Sequence, residues 1–483
     1  MSEWLKNQVE RLANPIVLKE MYQSLHSKKF LGALWLVLLI SLFAYTTIYV
    51  SAAGGNSGAQ MFGAFAGLSY LMGVAVLPYL GFSTLLQEIR GRTIELVNIT
   101  TLTSNQHVRG RLYASLVRLM LLYTILVPFA VTAFLFKGIG VQTIVSILYA
   151  LFMMSVVACA GGIFFGALTS LKRLGTIARW GYLLVIMAFL AMGLSGGSGF
   201  AAAGQYWNIS LSAEVLGMMA WYGLLAVLVT WLLIAAAANV LTFEADRCWG
   251  QTKLIVLLIV LALCAVPWVR RFVRGATVTT MGVLTTQVFA AILLGLAGYV
   301  WITEEDRMSQ RWRRRLEGRG VFWWLLAYPW MDGPGSTAAF LILPVGVMGG
   351  SVAGLAASGS GVDPEALVPA AMVMTYLLFY GTLARGGVLL LPRRYRTSMV
   401  VRVCMFGLLA VSMMAAALII SYGVHRDSLT IVSGLCPVLY GWSLEMADPE
   451  LWSPLVLPLM IGGVYHFGAF VVGLGRHLNE RSD

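Results

Sequence analysis

Long apolar runs alternate with short polar segments along the whole chain, and these runs set the predicted elements. A helix needs roughly 20 apolar residues to cross a hydrocarbon core of about 30 Å. The runs that approach this length cover residues 30–52, 62–86, 112–136, 142–169, 181–195, 214–241, 254–269, 280–302, 336–357, 366–391, 399–422 and 454–475. The pattern therefore predicts an all-α polytopic membrane protein with about twelve transmembrane helices, of which 181–195 and 254–269 are the shortest.

The segment before the first span has the pattern of a helix that lies on a membrane surface. Asn14 suits an N-cap and Pro15 suits the first helical position. Four apolar residues then share one helical face, and a basic pair closes the segment: Leu18, Met21, Tyr22, Leu25, Lys28 and Lys29. This spacing predicts an interfacial amphipathic helix within a cytoplasmic segment 1–29. The alternative is a solvated lead-in that orients the first span.

A second amphipathic stretch, residues 87–111, separates the second predicted span from the third. It holds six charged residues, in a chain of which 11% is charged. Ile94, Leu96 and Val97 form a short apolar face, and Thr103 or Ser104 can cap the helix that follows. A short helix held between two spans can be pushed by a soluble partner, so that both spans move together.

The loop 303–335 carries a third amphipathic stretch in the second half of the chain. Met308, Trp312 and Leu316 fall on one helical face. The surrounding basic residues favour a helix lying on anionic lipid. The alternative is a second docking element in the slot that 87–111 occupies in the first half. In either case it would be carried by Arg311, Trp312, Arg313, Arg314 and Arg315.

Two short patterns inside the apolar runs bear on packing and on chemistry. Ala158, Gly162, Gly166 and Ser170 recur every four residues, which predicts a ridge where two helices approach closely. Residues 194–198, "LSGGS", resemble a nucleotide-binding signature and overlap a G-x-S-x-G hydrolase pattern. That hydrolase pattern needs a strand before it and a helix after it. A flexible outer loop is the favoured interpretation.

Composition supports the membrane interpretation, and charge gives it an orientation. The chain is 59% hydrophobic with a mean hydropathy of +0.81, whereas soluble domains average about 45–50% apolar and about 25% charged. With the N-terminus in the cytoplasm, 25 of the 33 lysines and arginines fall on the cytoplasmic side and 5 on the opposite side. This bias predicts cytoplasmic N- and C-termini. Because the positive charge is spread over many loops, nucleic-acid binding is not favoured.

The sequence contains few residues or motifs that suggest catalysis or metal binding. The five cysteines are scattered without a C-x-x-C pair, and no H-E-x-x-H motif occurs. The chain has no Gly-Lys pair and hence no Walker loop, so it cannot bind ATP in that way. We expect no catalytic, cofactor or metal site and no enzyme activity. Arg118, Arg385 and Arg402 fall inside predicted spans, within about two turns of a cytoplasmic end, which favours snorkelling.

The stretch 87–111 resembles the first cytoplasmic loop of ABC type-2 transporter permeases, the membrane subunits of ATP-driven exporters. That family has an acidic residue, Gly-Thr-x-Glu-Leu, a Thr-Pro-Leu-Ser-like turn and a Gly-basic pair. The matching positions are Glu88, Gly91 (one place early), Thr93, Glu95, Leu96, Thr100, Leu102, Thr103, Gly110 and Arg111. Arg92 replaces the usual glycine and Thr101 the proline. The N-terminal segment resembles the family's interfacial helix.

The resemblance implies a function and a division of the chain. The loop 87–111 would be the coupling helix, seated on a cytoplasmic ABC ATPase that carries the ATP and magnesium. Residues 30–241 would form the six-span permease-like domain and 242–483 a second group of about six spans. The expected location is a bacterial inner membrane, in contact with lipid, and the pore would come from one chain or from a homodimer. The rivals are an ion- or proton-coupled carrier and a non-transporting membrane scaffold.

Overall fold

Helices make up all the regular structure in the described part of the chain. The structure is a computed structural model that describes residues 28–50, 57–91, 104–136, 139–170, 175–206, 213–242, 249–274, 280–302, 323, 327–331, 334–358, 362, 366, 368–389, 400–405 and 407–408. By contacts the chain divides into two compact units, Met1–Phe243 and Glu244–Asp483. We describe each unit by itself.

Among the residues that the structure describes, the first unit contains seven long helices. They are α1 (Lys28–Val50), α2 (Ser57–Tyr70), α3 (Leu77–Arg90), α4 (Ser104–Thr132), α5 (Val141–Leu168), α6 (Gly175–Tyr206) and α7 (Ala213–Leu241). A π-helical turn, Leu71–Val76, joins α2 to α3 without a break, and a 3₁₀ turn, Ala133–Phe136, extends α4. The continuous α2–α3 rod is the most buried of the candidate spans found among the described residues, so it forms the centre of this unit.

The second unit contains four long helices within the described residues. They are α8 (Gly250–Arg274), α9 (Thr280–Ile302), α10 (Pro334–Ala357) and α11 (Val368–Leu389). A 3₁₀ turn, Tyr328–Trp330, packs against α10. Helix α9 packs against α8, α10 and α11, and α10 also packs against α8 and α11. The four helices therefore form a bundle in which α9 and α10 each contact the other three.

Helix length and hydropathy make this a multi-pass membrane protein. Seven helices in the described residues are long and apolar enough to cross a membrane: Gly58–Arg90, Ser104–Leu135, Val141–Leu168, Val215–Leu241, Gly250–Val269, Gly282–Ile302 and Gly335–Ala357. Two shorter apolar helices, Leu34–Val50 and Ala178–Ala191, coincide with further predicted spans. The all-α polytopic prediction is confirmed. The prediction of about twelve spans is not, since 454–475 and most of 399–422 lie outside the described residues.

The small-residue ridge on α5 packs as predicted. A Cβ atom added at Gly162 would overlap the carbonyl oxygen of Pro78 on α3, and one added at Gly166 would lie 3.0 Å from Leu85. Helix α5 thus lies directly on the backbone of α3. Such close approach increases the dispersion contacts that hold helices together in lipid.

Two helices extend further than their apolar runs. Helix α4 begins at Ser104, eight residues before the predicted span, because its first two turns are polar yet packed against α3. Helix α6 continues to Tyr206, so residues 194–198 lie within a helix. The prediction of a flexible loop there was wrong. A hydrolase elbow needs a strand-to-turn-to-helix geometry, which this helical backbone does not provide.

Candidate functional site

The end of α3 and the start of α4 carry a buried polar cluster at the base of the segment 92–103. Glu88 belongs to the last turn of α3, and His107 and Arg111 lie one turn apart on α4. The Arg111 residue is 2% exposed and His107 6% exposed, while the Glu88 side chain keeps 31% of its surface accessible. The cluster, which we call the α3–α4 clamp, consists of Thr84, Glu88, His107 and Arg111.

The contacts within the α3–α4 clamp centre on the guanidinium group of Arg111. Its Nη2 forms an ion pair with Oε2 of Glu88, and its Nη1 donates to Oγ1 of Thr84 at 3.4 Å. The Thr84 hydroxyl in turn donates to the Gly81 carbonyl at 3.0 Å. Two contacts to α3 from one planar guanidinium fix both distance and orientation. The first turns of α4 are thereby cross-linked to the last turns of α3.

His107 completes the α3–α4 clamp from within α4. Its Nε2 accepts a hydrogen bond from Nε of Arg111 at 3.2 Å and lies 3.5 Å from Oε2 of Glu88. Because Nε2 accepts, it carries no proton in this arrangement. The buried Nδ1 has no hydrogen-bond partner among the described residues.

The structure brings together two of the ten residues that matched the permease loop. Glu88 and Arg111 form the ion pair, while Gly91 ends α3 and Gly110 is buried on α4. The other six, Thr93, Glu95, Leu96, Thr100, Leu102 and Thr103, lie outside the described residues. So do Leu18, Met21, Tyr22, Leu25 and Arg311–Arg315. Lys28 and Lys29 begin α1. The coupling and interfacial roles of these residues stay predictions.

Thr84 and His107 were not predicted from the sequence as members of a site. Neither residue belongs to a motif. Each lies close to the boundary between a polar segment and an apolar run, where a polar residue is usually expected to face water. One signal was present: His107 precedes Arg111 by four residues, which places both on one helical face. That spacing could have predicted a pair, but it could not have predicted Glu88 as the common partner.

Arg118 is buried instead of reaching the surface as predicted. It lies fourteen residues after Ser104 on α4, about 21 Å from the start of the helix at 1.5 Å per residue. The residue is 9% exposed. The snorkelling prediction was wrong for this residue, because it lies on a side of α4 that is packed inside the first unit.

The second unit holds a fully buried lysine that was predicted to lie at the end of a cytoplasmic loop. Lys253 belongs to the first turn of α8 and is 0% exposed. Its Nζ donates to three oxygens: Pro329 O at 3.0 Å, Met331 O at 2.6 Å and Ser336 Oγ at 3.4 Å. The ring centroids of Trp301 and Phe340 lie 5.8 Å and 5.7 Å from it. We call this set of contacts the Lys253 cage.

Two arginines of the second unit cap helix ends. Arg385 of α11 donates from Nε and Nη2 to the carbonyl of Ile302, the last residue of α9, at 3.2 Å and 3.0 Å. Arg271 of α8 donates from Nη2 to the carbonyl of Ser358, just after α10. Cations at a helix C-terminus bind its free carbonyls and oppose its dipole. For Arg271 this gives a structural use for one arginine of the predicted outside cluster.

No cluster of metal-ligand type occurs in the part of the chain that the structure describes: nowhere there do three His, Cys, Asp or Glu residues come together. That the chain has no metal or cofactor site stays a prediction. Comparison with known proteins returned no matching family model, no matching curated protein and no matching solved structure. The α3–α4 clamp, the Lys253 cage and the helical bundles are therefore the features of the described residues that bear on function.

Proposed function

We propose that this chain is the membrane-spanning permease subunit of an ABC transporter, and that it exports its substrate with ATP hydrolysed by a separate cytoplasmic subunit. The observation that carries the proposal is the α3–α4 clamp. Glu88 and Arg111 join the two helices at the base of residues 92–103, the segment whose sequence resembles a coupling helix. The chain would lie in a bacterial inner membrane with both termini in the cytoplasm.

The clamp suits this function because it makes two helices respond as one. A force applied to residues 92–103 reaches α3 and α4 at their cytoplasmic ends. The ion pair of Arg111 with Glu88 and its bond to Thr84 oppose any sliding of one helix along the other. In turn α3 continues through the π turn into α2, and α5 lies directly on α3. Motion that enters at the loop would thus reach the centre of the first unit.

The test is co-purification of an ATPase from native membranes in mild detergent. We would compare the unmodified chain with Glu95→Arg in the loop and with Glu305→Arg in the loop 303–335. Both substitutions reverse one charge in a predicted cytoplasmic segment, so the second is the matched control. We expect an ATPase with a Walker loop to accompany the unmodified chain and Glu305→Arg, and to be lost from Glu95→Arg.

Other outcomes would point elsewhere. If no ATPase accompanies the unmodified chain, the permease proposal fails. If Glu305→Arg alone loses the ATPase, docking belongs to the second loop. A proton-coupled carrier is the second candidate, favoured by the 3.5 Å contact between the Glu88 carboxylate and His107. Proton movement across liposomes that contain the chain without any ATPase would support that candidate.

A further inference from the structure

Helices α8 and α10 run side by side in the same direction, and polar bonds join them at three levels of the described bundle. The Lys253 cage joins the first turn of α8 to the start of α10. Further along, Nε1 of Trp268 on α8 donates to Oγ of Ser351 on α10 at 3.2 Å. At the far ends, Arg271 donates to the Ser358 carbonyl. Because these contacts follow the same order along both helices, the pair is parallel.

Pro267 interrupts the hydrogen bonds of α8 close to the second of these levels. Proline has no backbone N–H, so the carbonyl of Leu263, four residues earlier, loses its helical donor. A proline inside a helix is also a common place for the helix to bend. The residue divides α8 into a long first segment, residues 250–266, and a short second segment, residues 268–274.

One hydroxyl group holds α8 on both sides of the proline. Oγ of Ser351 donates to the Cys264 carbonyl at 3.3 Å and accepts from Nε1 of Trp268 at 3.2 Å. Cys264 precedes Pro267 by three residues, and Trp268 follows it directly. A proline in a membrane helix frees backbone groups, which hydroxyl side chains of neighbouring helices can satisfy. We call the Ser351 hydroxyl with its two partners the Ser351 latch.

The indole of Trp268 fits closely against α10. A Cβ atom added at Gly354, three residues after Ser351, would lie 2.6 Å from Cζ2 and 2.9 Å from Cη2 of the ring. The ring therefore lies directly on the backbone of α10. Ser351 is 8% exposed, so water has little access to replace its bonds. Residues 268–274 are thus fastened to α10 by the indole, by the Ser351 latch and by Arg271.

Helix α9 contributes to the support of the first segment of α8. Nε2 of Gln287 on α9 donates to the Met348 carbonyl of α10 at 3.4 Å and lies 3.8 Å from Sγ of Cys264. The first segment is thereby tied to both neighbouring helices. The two segments of α8 have separate supports, and they meet at a residue where one helical hydrogen bond is missing.

We propose that Pro267 is a hinge in α8 and that the Ser351 latch sets its bend, so that residues 268–274 move with α10. A displacement of the second half of α10 would pass through Ser351 and Ser358 to this segment, and on to the chain that leads into α9. Without the latch the segment would adopt other bends, because α8 has one bond fewer at the proline to oppose them. The hinge lies within the second unit and does not depend on an ATPase partner.

Hydrogen–deuterium exchange of the full-length chain in detergent, measured by mass spectrometry, tests the hinge, because exchange detects local opening of helical hydrogen bonds. Ser351→Ala removes both bonds of the latch and leaves the backbone in place. We expect the exchange rate of residues 268–274 to rise about fivefold or more, the effect of losing one buried hydrogen bond. Exchange in residues 250–263 should change by less than about twofold, since their other supports remain.

Ser358→Ala is the matched control on the same helix. The Ser358 hydroxyl donates to the Leu355 carbonyl at 2.7 Å, and the Ser358 carbonyl still accepts from Arg271 in the variant. We expect exchange in residues 268–274 to stay within about twofold of the unmodified chain. An increase as large as in Ser351→Ala would mean that the latch is not the cause, and the hinge would be overturned.

A pair of glycine variants tests the indole contact, and it replaces Ser351→Ala if that variant does not fold. Gly354→Ala should displace the Trp268 ring and raise exchange in residues 268–274. Gly350→Ala should leave exchange unchanged, because nothing lies within 4 Å of its Cβ position. Equal exchange in the two variants would contradict the role of the indole in holding the segment.

Pro267→Ala distinguishes a hinge from an ordinary loss of stability. Alanine restores the N–H that the Leu263 carbonyl lacks, so α8 no longer needs the latch to hold its bend. In this background Ser351→Ala should raise exchange in residues 268–274 by less than about twofold. A rise as large as in the native background, an equal rise in both segments of α8, or unchanged exchange in Ser351→Ala alone would overturn the hinge.

Discussion

At the residue scale, the Lys253 cage illustrates how a buried charge is held at the edge of a membrane span. Carrying an ammonium group out of water is costly unless its donors are satisfied. Pro329 and Met331 supply carbonyl oxygens, and the rings of Trp301 and Phe340 add cation–π attraction. One side chain thus ties the start of α8 to the 3₁₀ turn Tyr328–Trp330 and to the residues that follow it.

Replacing Lys253 with methionine should destabilise the second unit, although methionine fills much of the same space. The Pro329 carbonyl would lose this donor and the Met331 carbonyl would keep only its bond from the Ser336 hydroxyl, and a hydrogen bond to a charged group contributes roughly 1.5–3 kcal/mol. We expect a lower melting temperature in detergent than for the unmodified protein. Leu254→Met, at the exposed next position of α8, is the control and should leave the melting temperature nearly unchanged. Equal effects of the two variants would contradict this account.

At the element scale, α5 can pack closely on α3 because Gly162 has no side chain. The Cβ position of Gly162 is occupied by the Pro78 carbonyl oxygen, which belongs to helical backbone and cannot rotate away. The neighbouring Gly161 has nothing within 4 Å of its Cβ position. Two adjacent glycines on one helix therefore differ in their surroundings: Gly162 allows close packing against α3, whereas Gly161 faces open space.

Gly162→Ala should separate α5 from α3 and destabilise the first unit by about 1–3 kcal/mol, the usual cost of overpacking. Gly161→Ala should be neutral or slightly stabilising, because alanine favours the helix and meets no neighbour. The measurement is the melting temperature of both variants in the same detergent. A loss of stability in Gly161→Ala as large as in Gly162→Ala would show that the contact with Pro78 is not the cause.

Much of the helical pattern and little of the polar interior could be predicted from the sequence. Apolar runs place a helix reliably because lipid leaves the backbone no other way to satisfy its hydrogen bonds. Periodicity also marked Gly162 as a packing position. Glu88 and Arg111 were named for their places in a motif, yet nothing in the sequence pairs them. Lys253 and Arg118 were placed in loops or near surfaces, because burial depends on tertiary contacts that no local pattern contains.

At the scale of the whole molecule, the distribution of lysine and arginine assigns each loop to a side of the membrane. This asymmetry predicts that residues 303–335 face the cytoplasm, and that the loop near Arg426 faces the opposite side. Both segments lie outside the described residues, so the assignment rests on sequence alone. The orientation matters because a coupling helix can act only on the side where ATP is present.

Cysteine labelling tests this orientation directly. In a chain whose five native cysteines are replaced, Ser309→Cys should react with a membrane-impermeant maleimide only after the membrane is opened. Ser428→Cys should react in intact cells, because few positive charges flank it and its loop is therefore predicted to face the outside. Each variant serves as the control for the other. Three spans are predicted between the two residues, which places them on opposite sides of the membrane. Reaction of both residues in intact cells would place them on the same side, and the map of predicted spans would then be wrong.

The π-helical turn Leu71–Val76 gives the α2–α3 rod a place that can absorb a change in sequence length. A π turn accommodates one residue more than an α turn over the same full rotation, whereas one residue of an α-helix corresponds to a rotation of about 100°. Deleting a single residue in the turn would let the rod become α-helical throughout while α2 and α3 keep their relative orientation, so Glu88 would stay opposite Arg111. A deletion that the turn did not absorb would rotate Glu88 away from Arg111 and would thus uncouple the cytoplasmic end of this rod from its other half.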